Sequence, residues 1–175
     1  MNAEPILQKM KLLIVDDEPV NVALLEDMLR DNGYTRIRSL TDSRKALPTC
    51  AEFEPDLVLL DLMMPYVDGF TMLETLRGGN AIGGFLPVLI LTADMSQETK
   101  RRALKCGATD FLLKPFDQVE VLLRIHNLLH WRQSHLLLDN QRAALEEVVR
   151  ERTTQLRTTI AELQKAAHQI AAHTI

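Results

Sequence analysis

The chain has 175 residues, 20 basic and 24 acidic side chains and a net charge of −4. This length accommodates one domain with an appendage or two very small domains, and a hydrophobic fraction of 46 % excludes wholesale disorder. The mild acidity argues against bulk binding to nucleic acid or to an anionic membrane. No apolar stretch is long enough to cross a bilayer, and the N-terminal sequence MNAEPILQKMK lacks the apolar core of a secretion signal. We therefore expect a cytoplasmic protein that is not bound to a membrane.

The first 117 residues alternate between short apolar runs and amphipathic stretches. Two of the runs, LVLL and VLIL, are apolar at every position, which is typical of parallel strands covered on both faces. Pro19 suits a first helical turn and Ser96 suits an N-cap, whereas Gly33 and Gly107 suit left-handed C-terminal caps. The predicted strands are Lys11–Val15, Arg36–Leu40, Leu57–Leu60, Val88–Leu91 and Phe111–Leu113, and the predicted helices between them are Pro19–Asp31, Ser43–Ala51, Phe70–Arg77 and Ser96–Lys105.

This alternation predicts an α/β fold with a doubly wound, five-stranded parallel sheet. Pro48 conflicts with the second helix, which it is expected to kink or end. The loop before the fourth strand lacks the spacing of a phosphate-binding P-loop and is interpreted as flexible, since it contains four glycines, Gly78, Gly79, Gly83 and Gly84.

Polar side chains follow four of the predicted strands, at the edge where such a sheet binds its ligands. The first strand is followed by Asp16 and Asp17, the third by Asp61, the fourth by Thr92 and the fifth by Lys114. One Asp after a strand is usually a turn or a helix cap, but four converging strand ends are hard to explain in that way. Carboxylates this close repel one another, and Mg²⁺ relieves that repulsion while bridging carboxylates to phosphoryl groups. The pattern therefore predicts phosphoryl transfer to an Asp.

Four segments, in this order and spacing, resemble the receiver domain of two-component response regulators. They are LLIVDDEPVN, LVLLDLMMPYVDGF, PVLILTA and GATDFLLKPF, all within residues 11–130. The resemblance implies a flavodoxin-like, CheY-like fold, with a receiver domain over residues 1–130. It also implies a phosphorelay protein that turns over no external substrate.

The same resemblance implies roles for the residues of the acidic edge. Asp61 is the expected phosphoacceptor, and its donor is a histidine kinase or a histidine phosphotransfer protein. Mg²⁺ is expected on Asp17, on Asp61, on the backbone carbonyl of Met63 and, mainly through water, on Asp16. Lys114 is expected to pair with the phosphoryl oxygens.

Two further residues are expected to report the phosphorylated state. Thr92 would turn its hydroxyl onto the phosphoryl group, and Phe111 would move inward with it. A buried strand residue without a switching role is an equal alternative for Phe111. Pro115 is expected to form a cis peptide bond with Lys114.

From Gln118 onward the chain contains neither Gly nor Pro, which predicts one long helix. A helix over residues 118–170 is about 80 Å long, and its apolar stripe therefore needs a partner helix. A second copy is the simplest partner, so residues 131–175 are predicted to form a dimerising coiled coil; a lone solvated helix is the alternative. The predicted seam consists of Trp131, His135, Leu138, Arg142, Leu145, Val149, Arg152, Leu156, Thr159, Leu163, Ala166 and Ile170.

The segment VRERTTQL, at residues 149–156, resembles the connector that precedes output domains in response regulators. Such domains include phosphodiesterases of the HD-GYP type, GGDEF cyclases and histidine-kinase cores. We expect the output domain or partner to be absent from this chain, which would then be a fragment of a longer protein.

Three alternatives differ from this interpretation. A phosphohydrolase of the haloacid-dehalogenase type has a second Asp two residues after its nucleophile, where this chain has Met63. A DNA-binding regulator is not supported, because residues 118–175 contain no basic cluster and no turn between helices. The third alternative is a degenerate or stand-alone receiver that acts as a dimeric protein-interaction scaffold. The sequence assigns no role to His126, His130 or His135.

Overall fold

The computed structural model describes residues 4–78, 85–94 and 96–172, with side chains through residue 168. Most of the glycine-rich loop, residues 79–84, lies outside this range, as does the side chain of the predicted seam residue Ile170. The chain forms two compact units, which divide between His135 and Leu136. Each unit is described by itself below.

The first unit contains a sheet of five parallel strands in the order β2-β1-β3-β4-β5. This confirms the predicted doubly wound α/β fold, in which the order of the strands reverses between β1 and β3. The strands are β1 (Lys11–Val15), β2 (Arg36–Leu40), β3 (Leu57–Asp61), β4 (Val88–Thr92) and β5 (Asp110–Leu113). The helices are α1 (Pro19–Asp31), α2 (Ala46–Phe53), α3 (Gly69–Gly78), α4 (Gln97–Lys105) and α5 (Gln118–Ala172), and short 3₁₀ turns cover Leu7–Lys9 and Ser43–Lys45.

The two central strands are buried on both faces. Every residue of β3 and β4 is buried, as their uninterrupted apolar runs predict. One face packs against buried side chains of α2, α3 and α4, among them Cys50, Met72 and Ala103. Helix α1 and the beginning of α5 cover the opposite face, and their residues Leu25 and Val121 are fully buried. Helices thus cover both faces of the sheet.

The helix boundaries confirm four of the local signals. Pro19 begins α1, and the Ser96 hydroxyl accepts a hydrogen bond from the Thr99 N–H at 3.1 Å as the N-cap of α4. Gly33 and Gly107, which follow α1 and α4, have φ angles of +90° and +97°. Only residues without a β-carbon adopt that region without strain, which explains glycine at both positions.

The expectation for Pro48 was wrong. The α-helix begins at Ala46, after a separate 3₁₀ turn, so that Pro48 is its third residue. The N–H groups of the first helical turn have no acceptor within the helix, and a proline there loses no hydrogen bond.

The burial of helix α5 changes along its length. In the first unit Ile125 and Leu129 are fully buried, and Arg132 donates a hydrogen bond to the Phe85 carbonyl at 2.7 Å. In the second unit the large apolar side chains of the helix, from Leu137 to Leu163, are more than half exposed. No helix of the described residues is both long and apolar enough to span a membrane.

Candidate functional site

The polar residues predicted to converge do meet at the carboxyl edge of the sheet. Asp61 and Thr92 are the last residues of β3 and β4, and Asp16 directly follows β1. A cleft of about 520 Å³ opens at this edge, and Asp17, Asp61 and Lys114 contribute to its walls. The fold therefore brings together four strand ends that are up to 98 residues apart in sequence.

The Lys114 ammonium joins two of the carboxylates. Its Nζ lies 2.7 Å from Asp16 Oδ2 and 2.8 Å from Asp61 Oδ2. The side chains of Asp16 and Asp61 are 0 % and 8 % exposed, and that of Lys114 is 16 % exposed. Charge-assisted hydrogen bonds of this length, in so little solvent, are among the stronger polar interactions in proteins.

Burial and the Lys114 ammonium act in opposite directions on the pKa of Asp61. Burial raises the pKa of Asp61 above its ordinary value of 3.8, even though the hydrogen bond and charge of Lys114 lower it. For Lys114, burial by itself would lower the pKa, but the hydrogen bonds to Asp16 and Asp61 outweigh burial and raise it. Lys114 therefore remains an ammonium, whereas the ionised form of Asp61 is less favourable in the fold than in water.

Asp16 is oriented by groups on its own loop and on α1. Its Oδ1 accepts a hydrogen bond from the Glu18 N–H at 2.9 Å, and both of its oxygens lie 3.2 Å from Asn21 Nδ2. Asn21 also donates to Glu18 at 3.3 Å. These bonds hold a fully buried carboxylate in one orientation beside the ammonium.

The donor atoms of the cleft fit a small divalent cation. Asp16, Asp17 and Asp61 each present a carboxylate oxygen, and these oxygens lie within 4.8 Å of one another. Lys114 bonds to only two of these carboxylates, so negative charge remains for a second cation. Oxygen ligands with residual negative charge are what Mg²⁺ selects. Met63 lies at the same cleft, where its N–H donates to Asp61 Oδ1 at 3.2 Å.

Comparison with known proteins decides the family. The family model of the response regulator receiver domain matches residues 12–126. The chain belongs to the response regulator receiver family. A role in phosphorelay signal transduction comes with that membership. The first compact unit, which ends at His135, is called the receiver below.

Two relatives illustrate the match. RpaA, a DNA-binding dual master transcriptional regulator of Synechocystis, is 39 % identical over 119 residues, which are 68 % of this chain and 48 % of that protein. A probable cyclic di-GMP phosphodiesterase of Vibrio cholerae is 32 % identical over 150 residues, which are 86 % of this chain and 33 % of that protein. The chain thus spans half or less of the length of these relatives.

A solved structure is also similar to this chain. It is the receiver domain of the sensor histidine kinase PA1611 from Pseudomonas aeruginosa, with a magnesium ion coordinated in its active-site cleft. It is 30 % identical to this chain with a TM-score of 0.63, and the alignment covers 70 % of this chain and 98 % of that one.

The two residues predicted to switch lie on one face of the sheet. The register of β4 and β5 pairs Ile90 with Phe111 and Thr92 with Leu113, and side chains two positions apart on a strand share a face. Thr92 is 2 % exposed, whereas Phe111 is half-buried against the core. Their roles in signalling remain predictions.

Gly69 is a site residue that sequence reasoning missed. A β-carbon there would lie 2.7 Å from Leu62 Cα and closer still to the Asp61 carbonyl oxygen. Helix α3 can therefore begin against the end of β3 only because residue 69 has no side chain. The available signal was a glycine directly before the predicted helix Phe70–Arg77.

We expect Gly69→Ala to disturb the site through the backbone. A β-carbon forced against the Asp61 carbonyl should lower the free energy of unfolding by about 2 kcal/mol and slow phosphorylation at least tenfold. Denaturant unfolding and phosphorylation kinetics measure the two effects. Gly78→Ala is the matched control, because a β-carbon there meets no atom within 4 Å. Equal behaviour of the two variants would show that the close approach at Gly69 has no consequence.

Proposed function

We propose that this chain is an Mg²⁺-dependent phosphorelay receiver with Asp61 as its phosphoacceptor. The observation that carries the proposal is the bonding of the Lys114 ammonium to both Asp16 and Asp61 in a cleft open to solvent. An acceptor needs a carboxylate that reaches the donor, a fixed cation beside it and room for a phosphoryl group. Asp61, Lys114 and the cleft meet these three requirements.

The transfer reaction follows from this arrangement. A carboxylate oxygen of Asp61 attacks the phosphorus of a phosphohistidine on a kinase or phosphotransfer protein. The new O–P bond forms as the N–P bond breaks, and the electron pair of that bond stays on the histidine nitrogen. Lys114 is placed to compensate charge on the phosphoryl oxygens, which is the main contribution a protein makes to phosphoryl transfer.

Mg²⁺, held by Asp16, Asp17, Asp61 and the Met63 carbonyl, would supply the additional charge neutralisation that the three carboxylates call for. The three carboxylate oxygens, which lie within 4.8 Å of one another, support this assignment. The chain is proposed to promote its own phosphorylation and dephosphorylation and to turn over no external substrate. Its proposed location is the cytoplasm.

Thr92 and Phe111 are proposed to carry the signal away from Asp61. The Thr92 hydroxyl accepts a hydrogen bond from the Asp94 N–H at 3.1 Å, which a rotation toward a phosphoryl oxygen would exchange for a charge-assisted bond. Phe111 lies on the same face, and the Lys100 ammonium is 4.9 Å from its ring centroid. Inward movement of the ring would therefore also change a contact of α4.

The second unit is proposed to be a dimerising helix that reports the state of Asp61 to an output domain or partner. The support is an apolar stripe at three- and four-residue spacing, whose members Leu138, Leu145, Val149, Leu156 and Leu163 are all more than half exposed. Stripes of this kind are stable when buried against a second helix. Because α5 is continuous from Gln118 to Ala172, the receiver and the stripe share one helix.

The dimer is tested by replacing one stripe residue with a charge. Leu156→Glu is expected to raise the dimer dissociation constant at least tenfold, because it places a carboxylate in the apolar seam. Sedimentation equilibrium, with and without phosphorylation, measures the change. Thr158→Glu adds the same charge on the other side of the helix and should leave the dimer intact. A monomeric wild-type chain, or equal loss in both variants, would contradict the proposal.

Intact mass tests the phosphoacceptor. After incubation with Mg²⁺ and acetyl phosphate, the wild-type chain should gain one phosphoryl group and the folded Asp61→Asn variant none. A gain in the variant would place the acceptor elsewhere. No gain in the wild-type chain with acetyl phosphate or phosphoramidate would leave the scaffold alternative, in which the receiver is degenerate and the helix alone is functional.

A further inference from the structure

His126 and His130 lie on one face of α5, outside the phosphoacceptor cleft. They are four residues apart, so their imidazoles lie one helical turn from each other, where they meet edge to face with ring centroids 4.7 Å apart. Both side chains are half-buried. Neither residue has a role in the proposed phosphorelay reaction.

A third metal-ligating group reaches this pair from the other end of the receiver. Glu4 Oε1 lies 3.6 Å from His130 Nε2, and one ligand atom each from Glu4, His126 and His130 lie within 4.8 Å of one another. The carboxylate and the second imidazole are 126 residues apart in sequence. In the described residues only one other group of His, Cys, Asp and Glu is as compact, and that group is the acidic cleft.

The segment that carries Glu4 is anchored in the fold. Leu7 is fully buried, and the carbonyl of Gln8 accepts a hydrogen bond from the Thr35 N–H at 3.3 Å. The Glu4 carbonyl in turn accepts a hydrogen bond from the Gln8 N–H at 3.1 Å. Helix α5 is equally anchored at this point by Ile125 and Leu129, which are fully buried neighbours of the two histidines.

We propose that Glu4, His126 and His130 form a second cation site, specific for Zn²⁺ or a similar late first-row metal. Two imidazoles and a carboxylate are a ligand set that zinc takes in proteins, with a water in the remaining position. Mg²⁺ prefers an all-oxygen site and is not expected to compete here. As a bare ion pair, Glu4 and His130 would contribute little, because their side chains are 56 % and 43 % exposed.

The bound metal would join the N-terminal segment to α5. Both parts are fixed separately by their apolar contacts, and a shared ligand sphere adds a link between the two ends of the receiver. Because only the folded chain brings the three groups together, zinc should stabilise the fold. At about a hundredfold excess over the dissociation constant, we expect a rise in Tm of roughly 5–10 °C.

Calorimetric titration of Zn²⁺ into the untagged, EDTA-treated full chain tests the site. Excess Mg²⁺ is present throughout, so that the acidic cleft is occupied. We expect one zinc per chain, with binding weakened at least about tenfold in His126→Gln and in His130→Gln and more mildly in Glu4→Gln. His135→Gln, on the same helix but outside the cluster, and Asp61→Asn, in the other site, should bind zinc as the wild type does.

Three results would overturn the proposal of a zinc site. Absence of zinc binding, or binding that survives His126→Gln and His130→Gln, would show that the cluster is not a metal site. Binding lost in Asp61→Asn would assign the zinc to the acidic cleft. A Tm that rises equally in the wild type and in both histidine variants would show that zinc stabilises the chain from another position.

Discussion

Asp61→Asn should stabilise the fold in Mg²⁺-free buffer at pH 7, raising Tm by roughly 2–4 °C, the shift that corresponds to about 1 kcal/mol in a chain of this size. The reason is that burial raises the pKa of the Asp61 carboxyl by more than the hydrogen bond and charge of Lys114 lower it. A raised carboxyl pKa in the fold means that the ionised form is disfavoured there. Asparagine keeps the shape and removes the charge.

The pH dependence follows from the same shift. The folded state binds a proton at Asp61 more readily than the unfolded state, whose carboxyl keeps its ordinary pKa of 3.8. The ionised carboxyl of Asp61 therefore destabilises the wild-type fold at neutral pH. This destabilisation disappears as the pH falls from the pKa of Asp61 in the folded state to 3.8, its pKa in the unfolded state. The stability difference between Asp61→Asn and the wild type should be largest at neutral pH and vanish in acid.

Thermal unfolding between pH 4 and pH 8 measures this difference. Asp27→Asn, at an exposed position on α1, is the control and should leave Tm unchanged. Addition of Mg²⁺ should raise Tm in the wild type and much less in Asp61→Asn, because the variant lacks one ligand. A variant less stable than the wild type at pH 7 would show that the bond from Lys114 outweighs burial.

Lys114→Met should destabilise the fold, and by more than Asp61→Asn stabilises it. Removing the ammonium leaves two buried carboxylates, Asp16 and Asp61, without their shared cation. Breaking a buried ion pair in this way should lower the free energy of unfolding by about 3 kcal/mol and Tm by roughly 6–12 °C. The variant should also fail to accept a phosphoryl group at a useful rate, since the charge that faces the phosphoryl oxygens is lost.

A second substitution separates charge from packing. In Asp61→Asn/Lys114→Met only one of the two carboxylates remains, and the double variant should recover part of the stability lost in Lys114→Met. The deficit of Lys114→Met should also shrink as pH falls, because Asp61 without Lys114 takes up a proton more easily. Lys105→Met, at an exposed position on α4, should cost little. A deficit that is independent of pH and of Asp61 would trace the effect to packing.

Much of the fold follows from short-range patterns in the sequence. The all-apolar runs predicted β3 and β4, since only strands covered on both faces need no polar positions. The absence of Gly and Pro after residue 117 predicted the long helix, because those residues are what most often interrupts one. The positions of Asp61 and Thr92 at strand ends then predicted the acidic edge, which the structure brings together as expected.

Tertiary contacts decided the remaining features. Pro48 was misjudged because the start of α2 depends on the preceding 3₁₀ turn, which is stabilised through contacts of Ser43 with the Pro65 carbonyl and the Val67 N–H. The need for glycine at position 69 arises from the backbone of β3, which periodicity does not reveal.

The cluster of Glu4, His126 and His130 depends on both local sequence and tertiary contacts. The spacing of the two histidines is local and places them on one face of a helix by itself. Their meeting with Glu4 depends on where the N-terminal segment and α5 pack on the sheet, and buried residues such as Leu7 and Leu129 determine that packing. Sequence patterns thus determined the elements and the chemistry at the strand ends, because both depend on neighbours along the chain. Contacts between residues far apart in sequence were decided only by the packed structure.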